Sequence, residues 1–104
     1  MILYHVTVKI DNDVRQDWLT WMKNVHIPDV MDTGRFESYR ITRMISDEDD
    51  GTTFSIQYTA KDMDAIDQYL SNEAPSLQAD HTRRYEGKFV AYRTFHHILG
   101  SSDS

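Results

Sequence analysis

The sequence predicts a single α+β domain in the order β-α-β-β-α-β, and three observations predict it. Apolar and polar residues alternate with period two over 2–10, 36–46 and 53–60, and 89–99 reads as a last strand. Between the first and second of these stretches, and between the third and fourth, apolar residues recur at helical spacing instead. The middle two are separated only by the acidic turn Asp47-Glu-Asp-Asp-Gly51, whose Asp-Gly end suits a hairpin. A split pair of βαβ units of this order closes as a four-stranded antiparallel sheet with both helices on one side, the ferredoxin-like arrangement.

The first strand sets Ile2, Tyr4, Val6, Val8 and Ile10 on one face and Leu3, His5, Thr7 and Lys9 on the other. Asp11-Asn-Asp13 supplies capping oxygens and acidic charge for a helix start. Val14, Trp18, Trp21, Met22 and Val25 then form one apolar stripe. Pro28 disfavours helical geometry at Ile27, so the regular helix is expected to stop near His26. An irregular turn continues to Asp32, and Gly34 marks the stop. In the second strand Tyr39, Ile41, Arg43 and Ile45 share a face, and in the third Phe54, Ile56 and Tyr58 do. The crowded carboxylates of the intervening turn lack the ordered spacing and terminal Glu of a calcium loop. Asp62 caps a second helix with an inner stripe of Met63, Ile66, Tyr69 and Leu70. Ser71–Pro75 interrupts it, and Pro75 opens a further short helix carrying Leu77, His81 and Tyr85 inward before Gly87. The domain is expected to span 1–99, with 100–104 a frayed tail.

The chain has 104 residues, the size of one domain. Eleven basic residues against 17 acidic ones leave a net charge of −6, which argues against a nucleic-acid or anionic-membrane partner. There is no cysteine, hence no disulfide, thiol nucleophile or thiolate metal site. The N-terminus enters a strand pattern at once, without the features of a signal peptide. No apolar run approaches the roughly 20 residues of a membrane span. The expected location is the cytoplasm.

Hydrophobicity puts Tyr4/Val6/Val8/Ile10 and Phe54/Ile56/Tyr58 beneath the helices. The reverse face then presents His5, Thr7, Ser38, Arg40, Thr42, Ser55, Gln57 and Thr59. In the last strand both registers serve: Phe89, Ala91, Arg93 and Phe95, or Val90, Tyr92, Thr94, His96 and Ile98. The reverse face either meets water or packs on a second copy across a two-fold axis, as a barrel between subunits.

The order of elements and the His26-Ile-Pro28 step resemble the dimeric α/β-barrel superfamily. That group includes small cofactorless quinol monooxygenases, muconolactone-type isomerases and EthD-like proteins, the last with a His-x-Pro step at a similar place. More closely, the whole chain is similar to a bacterial family of small proteins of unknown function. The likeness lies in Met1-Ile-Leu-Tyr-His-Val-Thr-Val8, His26-Ile-Pro-Asp-Val30 and Gly87-Lys-Phe-Val-Ala91. It implies the fold and a homodimer through the sheet face, and it supplies no activity.

His26 is the candidate catalytic residue. At a helix C-terminus its cation would be stabilised by the helix dipole, and it titrates near neutral pH. It either serves as general acid or base or merely caps the helix carbonyls. Trp18 and Trp21 suit a flat aromatic substrate, and equally a core. Tyr39 and Tyr58 are expected on helix-facing registers, where their hydroxyls could line a polar end of a pocket. Arg43 could hold an anionic group or pair with the acidic turn. His96-His97 cannot chelate one ion, because consecutive strand residues point to opposite faces; His5 could join one of them, without a third ligand. Asp80-His81 suggests nothing beyond a helix surface. No phosphate loop, nucleophile elbow or zinc-binding helix is present, so the expected cofactor and metal are none.

Together these point to a cofactorless isomerase- or monooxygenase-type enzyme acting on a small hydrophobic or aromatic metabolite. The alternative is a non-catalytic small-ligand-binding or assembly module.

Overall fold

The computed structural model describes residues 1–46 and 49–102. Four strands form one antiparallel sheet: β1 (Ile2–Ile10), β2 (Ser38–Arg43), β3 (Thr52–Ala60) and β4 (Phe89–His97), in spatial order β2-β3-β1-β4. β1 and β3 lie at the centre, where both edges of the backbone find partners. Val8 stands opposite Phe54 and Val6 opposite Ile56 in one ladder, and opposite Ala91 and Arg93 in the other. Opposed residues share a face of the sheet. The register left open in β4 is thereby decided: Phe89, Ala91, Arg93 and Phe95 face the helices, and Val90, Tyr92, Thr94 and His96 face away.

All helices cover the side carrying Tyr4, Ile10, Phe54, Ile56 and Tyr58, each buried to 3% exposure or less. The first helical segment departs from expectation. It does not stop near His26: α1 (Arg15–Trp21) passes through a π turn at Met22–His26 into α2 (Ile27–Asp32). The amide of Ile27 bonds to the carbonyl of Met22, five residues back, and Ile27 keeps helical angles of φ −63° and ψ −44° despite the proline that follows. A π turn shifts the carbonyl that the ring of Pro28 would meet in an α-helix, so the helix absorbs the proline instead of ending. The extra residue also changes which side chains point inward. Trp18, Met22, Ile27 and Val30 are buried, at spacings of four, five and three, while Val25, expected in the stripe, is 42% exposed.

Asp11-Asn-Asp13 likewise makes no side-chain cap, because a 3-10 turn at Asn12–Val14 takes up the helix start. Asn12 instead accepts from the hydroxyl of Thr52 at 2.7 Å, and Asp13 pairs with Lys88 at 2.9 Å. The second helical layer follows expectation more closely. Asp62 accepts from the amide of Ala65 at 3.0 Å and opens α3 (Met63–Asn72), and Pro75 lies in the first turn of α4 (Ala74–Tyr85). Met63 alone leaves the expected stripe, at 39% exposure. Arg35 grips Glu73 between these two helices, its Nη2 2.9 Å from Oε1. Gly34 and Gly87, just past α2 and α4, take φ of +76° and +75°, the left-handed ending that glycine makes inexpensive. Of the acidic turn, Asp47 and Glu48 lie outside the described residues, as do Asp103 and Ser104 of the expected tail. Among the described residues no helix is long and apolar enough to cross a membrane.

Candidate functional site

A cavity of about 170 Å3 lies between the sheet and the helices. Its floor is Val6, Val8, Ile56, Phe89 and Ala91 from the helix-facing registers, and Met22 closes it from the π turn. Polar groups converge on it from four directions: Tyr4 and Tyr58 from the sheet, His26 from the π turn, Tyr69 from α3, and Gln78, His81 and Thr82 from α4. Arg93 reaches it from β4. Most of these residues are buried or half-buried, whereas Thr82 and Arg93 are exposed. The mouth therefore lies where the edge strand β4 passes α4.

His26 is placed by the π turn and not by a helix end; the C-terminus of this helical segment is at Asp32. The dipole expected to favour its cation is therefore absent. Burial instead pushes its pKa below the ordinary histidine value; Asp29 and Asp80 oppose that shift and Arg93 adds to it. Its ring sits 5.2 Å from that of Trp21 and 5.9 Å from that of His81. Among the described residues neither ring nitrogen has a hydrogen-bond partner. At neutral pH the group is an uncharged imidazole, competent as a base.

His81 faces inward, as its place in the stripe with Leu77 and Tyr85 predicts, and it is more than the helix surface that Asp80-His81 suggested. It is 8% exposed, and its Nε2 accepts from the indole Nε1 of Trp18 at 2.8 Å. That bond requires a lone pair on Nε2, so the proton sits on Nδ1. Burial, with smaller effects from His26 and Arg93, pushes its pKa down to about 4. A cation here would give up the bond to Trp18.

Arg93 donates from Nε to the hydroxyl of Tyr4 at 3.0 Å. Burial raises the pKa of that hydroxyl, and Arg93 and Gln78 partly oppose the rise. Tyr58 and Tyr69 are raised more strongly, again chiefly by burial, so all three phenols are neutral donors. The ring of Tyr4 is held by Phe95 at 5.5 Å and Phe36 at 5.8 Å.

Of the residues expected to line a pocket, His26 and Tyr58 do so. Trp21 backs His26 and, with Tyr85 at 5.7 Å, forms the wall behind it. Trp18 is fully buried and touches the site through His81. Tyr39 shares the face of Tyr58 but is 45% exposed on the edge strand β2. Arg43, two positions beyond Ile41, is exposed on that same strand, while Asp50 of the acidic turn pairs with Lys9 at 3.1 Å. An edge strand is covered on one side only, so residues of the correct register can still miss the cavity. Sequence reasoning missed Tyr4, Gln78, His81 and Arg93 as site residues. For Arg93 the signal was a charge at the centre of a strand, usable only once its register was known. On the far face His5 and His96 come within 6.0 Å, ring to ring. Among the described residues no group of three or more His, Cys, Asp or Glu is arranged to hold a metal ion.

Solved structures sharing this architecture include an EthD family protein from Bacillus halodurans, 13% identical, with a TM-score of 0.69 over 95% of this chain and 100% of that one. A dimeric ferredoxin-like protein from an uncultured marine organism is 8% identical, with a TM-score of 0.72 over 97% of each chain. SnoaB, a cofactor-independent oxygenase from Streptomyces nogalater, is 10% identical, with a TM-score of 0.65 over 99% of this chain and 98% of that one. At these identities the likeness is one of fold. No curated protein matches the chain. Residues 1–98 match the family described as Domain of unknown function (DUF4286), and the chain belongs to that family.

Proposed function

We propose that the chain is a cofactor-independent enzyme that moves a proton on a small hydrophobic metabolite, aromatic or carbonyl-bearing, with His26 as the acid–base. The observation that carries this reading is a half-buried imidazole without a hydrogen-bond partner among the described residues, lining a cavity with an apolar floor. The proton passes from an activated C–H or O–H of the substrate to a ring nitrogen of His26, and the electron pair stays on the substrate. Return of the proton to another atom is an isomerisation; attack of a carbanion on dioxygen gives a peroxide that takes the proton from His26 and, losing a second C–H proton with cleavage of the O–O bond, leaves a carbonyl and water. Tyr58 supplies a hydroxyl to the wall, Trp21 supports His26, and Trp18 acts through His81. Tyr39 and Arg43 have no part in this cavity.

A volume of about 170 Å3 limits the substrate to about one ring, since an apolar cavity of about 150 Å3 holds benzene. Drug-sized pockets begin at about 300 Å3. The small volume also suits the rival reading, a non-catalytic binding module. The two separate in one experiment. Quinols, lactones and aromatic acids are screened by thermal shift; binders are then followed by proton NMR in D2O and by oxygen uptake. Turnover should fall by about 10²–10⁴-fold in His26→Gln. Binders that are never converted would leave the binding module standing, and turnover indifferent to His26→Gln would remove the assigned role.

A homodimer through the far face of the sheet belongs to the same reading. Val90 and Tyr92 stand 68% and 64% exposed there, opposite Lys9 and Thr7 of β1. Apolar and aromatic residues in that position favour a partner over water. The acidic composition, with its net charge of −6, suits a cytoplasmic setting.

A further inference from the structure

The cavity contains one formal charge, and nothing in its walls balances it. No Asp or Glu is among its lining residues, although the chain as a whole carries a net charge of −6. The Nε of Arg93 is engaged by the Tyr4 hydroxyl at 3.0 Å, which fixes the plane of the guanidinium through a ring itself stacked on Phe95 and Phe36. Its Nη groups have no carboxylate partner among the described residues. Of the two carboxylates whose charge acts on His26, Asp29 and Asp80, neither lines the cavity, and Asp80 pairs with Arg83. Three other arginines are paired: Arg35 with Glu73, Arg83 with Asp80 and Arg84 with Asp17. The positive field is felt across the cavity, where Arg93 helps hold both His26 and His81 uncharged. A guanidinium with one edge fixed and the other free presents parallel N–H donors, the geometry that a planar carboxylate matches in two hydrogen bonds.

We propose that the cavity takes a single-ring compound bearing a carboxylate, anchored on the free Nη edge of Arg93, with the ring lying among Met22, Ile56, Phe89 and Ala91 and directed towards His26. This rests on the reading of the cavity as a ligand site and adds the substrate class. The Tyr4 hydroxyl accepts from Nε, so its own proton is free to donate to the same carboxylate. Entry is from the β4–α4 mouth, where the two exposed lining residues, Thr82 and Arg93, stand. The anion therefore stays near water while the ring goes inward, and the charge is not carried into the core.

The test uses the full chain, with benzoate and its neutral isostere benzamide as probes, by calorimetry and by the ¹H–¹⁵N resonance of the Arg93 Nε–H. Benzoate should bind at least tenfold more tightly than benzamide and shift that resonance. Arg93→Gln should abolish that preference, weakening benzoate at least tenfold more than benzamide. Arg93→Lys, which keeps the charge and loses the fork, should fall between wild type and Arg93→Gln. Circular dichroism and melting temperature check that each variant is folded, as expected for a side chain at the mouth. Equal affinity for the two probes, or a preference that survives Arg93→Gln, would overturn the anion anchor while leaving the cavity as a ligand site. Failure of both probes to bind would overturn the anchor and the cavity reading together.

Discussion

Lowering the pH from 7 to 5 should move the urea midpoint of unfolding downward, and a large share of the change should pass through His81. In the folded chain burial, His26 and Arg93 push its pKa down from 6.5 to about 4. The unfolded state therefore binds more protons between those two values. The sign follows: His81 costs nothing above its unfolded value, costs progressively more as pH falls through the window, and costs its full amount below the folded value. Each pH unit within the window is worth about 1.4 kcal/mol. The drop from pH 7 to 5 crosses about one and a half units of it, giving a loss of about 2 kcal/mol. With a urea dependence of about 1–2 kcal/mol/M, the midpoint should fall by roughly 1–2 M. The control is His81→Gln, whose amide oxygen can still accept from Trp18 and does not titrate. Asp13 and Asp50 are held below their ordinary value of 3.8, so they lie outside the window. His5 and His26, both lowered, contribute alike to wild type and variant. The difference between the two proteins isolates His81. Parallel loss of stability in His81→Gln and wild type would refute the assignment of a neutral, indole-bonded imidazole.

Four further outcomes are expected of the fold and its contacts. Thr52→Val removes a buried hydroxyl that donates to Asn12 at 2.7 Å and accepts from Arg15 at 3.1 Å, and should cost about 1–2 kcal/mol in chemical denaturation. Gly87→Ala places a side chain at φ +75° and should cost about 1 kcal/mol, with Gly87→Asn milder because asparagine tolerates that conformation. Arg35→Ala and Glu73→Gln, which break a half-buried pair, should each cost about 1 kcal/mol and show coupling in a double-mutant cycle; strictly additive losses would mean the pair contributes nothing. For the dimer, Arg40→Glu puts like charges at a two-fold contact on the far face, so sedimentation at micromolar concentration should shift toward monomer.

Much of the fold was legible in local pattern. Period-two alternation placed β1 and β3 and identified their buried faces, because a one-residue slip would have sent every apolar side chain to water. Asp62, Pro75, Gly34 and Gly87 were readable as punctuation because capping and left-handed endings depend on a few adjacent residues. Pro28 misled for the same reason. Its local preference is against a helix at Ile27, but burying Ile27 and Val30 on the sheet outweighs that preference once a π turn accommodates the ring.

By itself the sequence determined the order of elements, the ferredoxin-like topology and the suspicion that falls on His26, since each depends on neighbours within a turn or two. Only the tertiary structure decided the register of β4, and with it Arg93. Phe89, Ala91, Arg93 and Phe95 are no more apolar as a set than their alternates, so the choice came from pairing with β1, a strand some eighty residues away. The bond of the inward-facing His81 to Trp18 was decided there too. A side chain's protonation state depends on what surrounds it in space, and the surroundings of these groups come from helices and strands far apart along the chain.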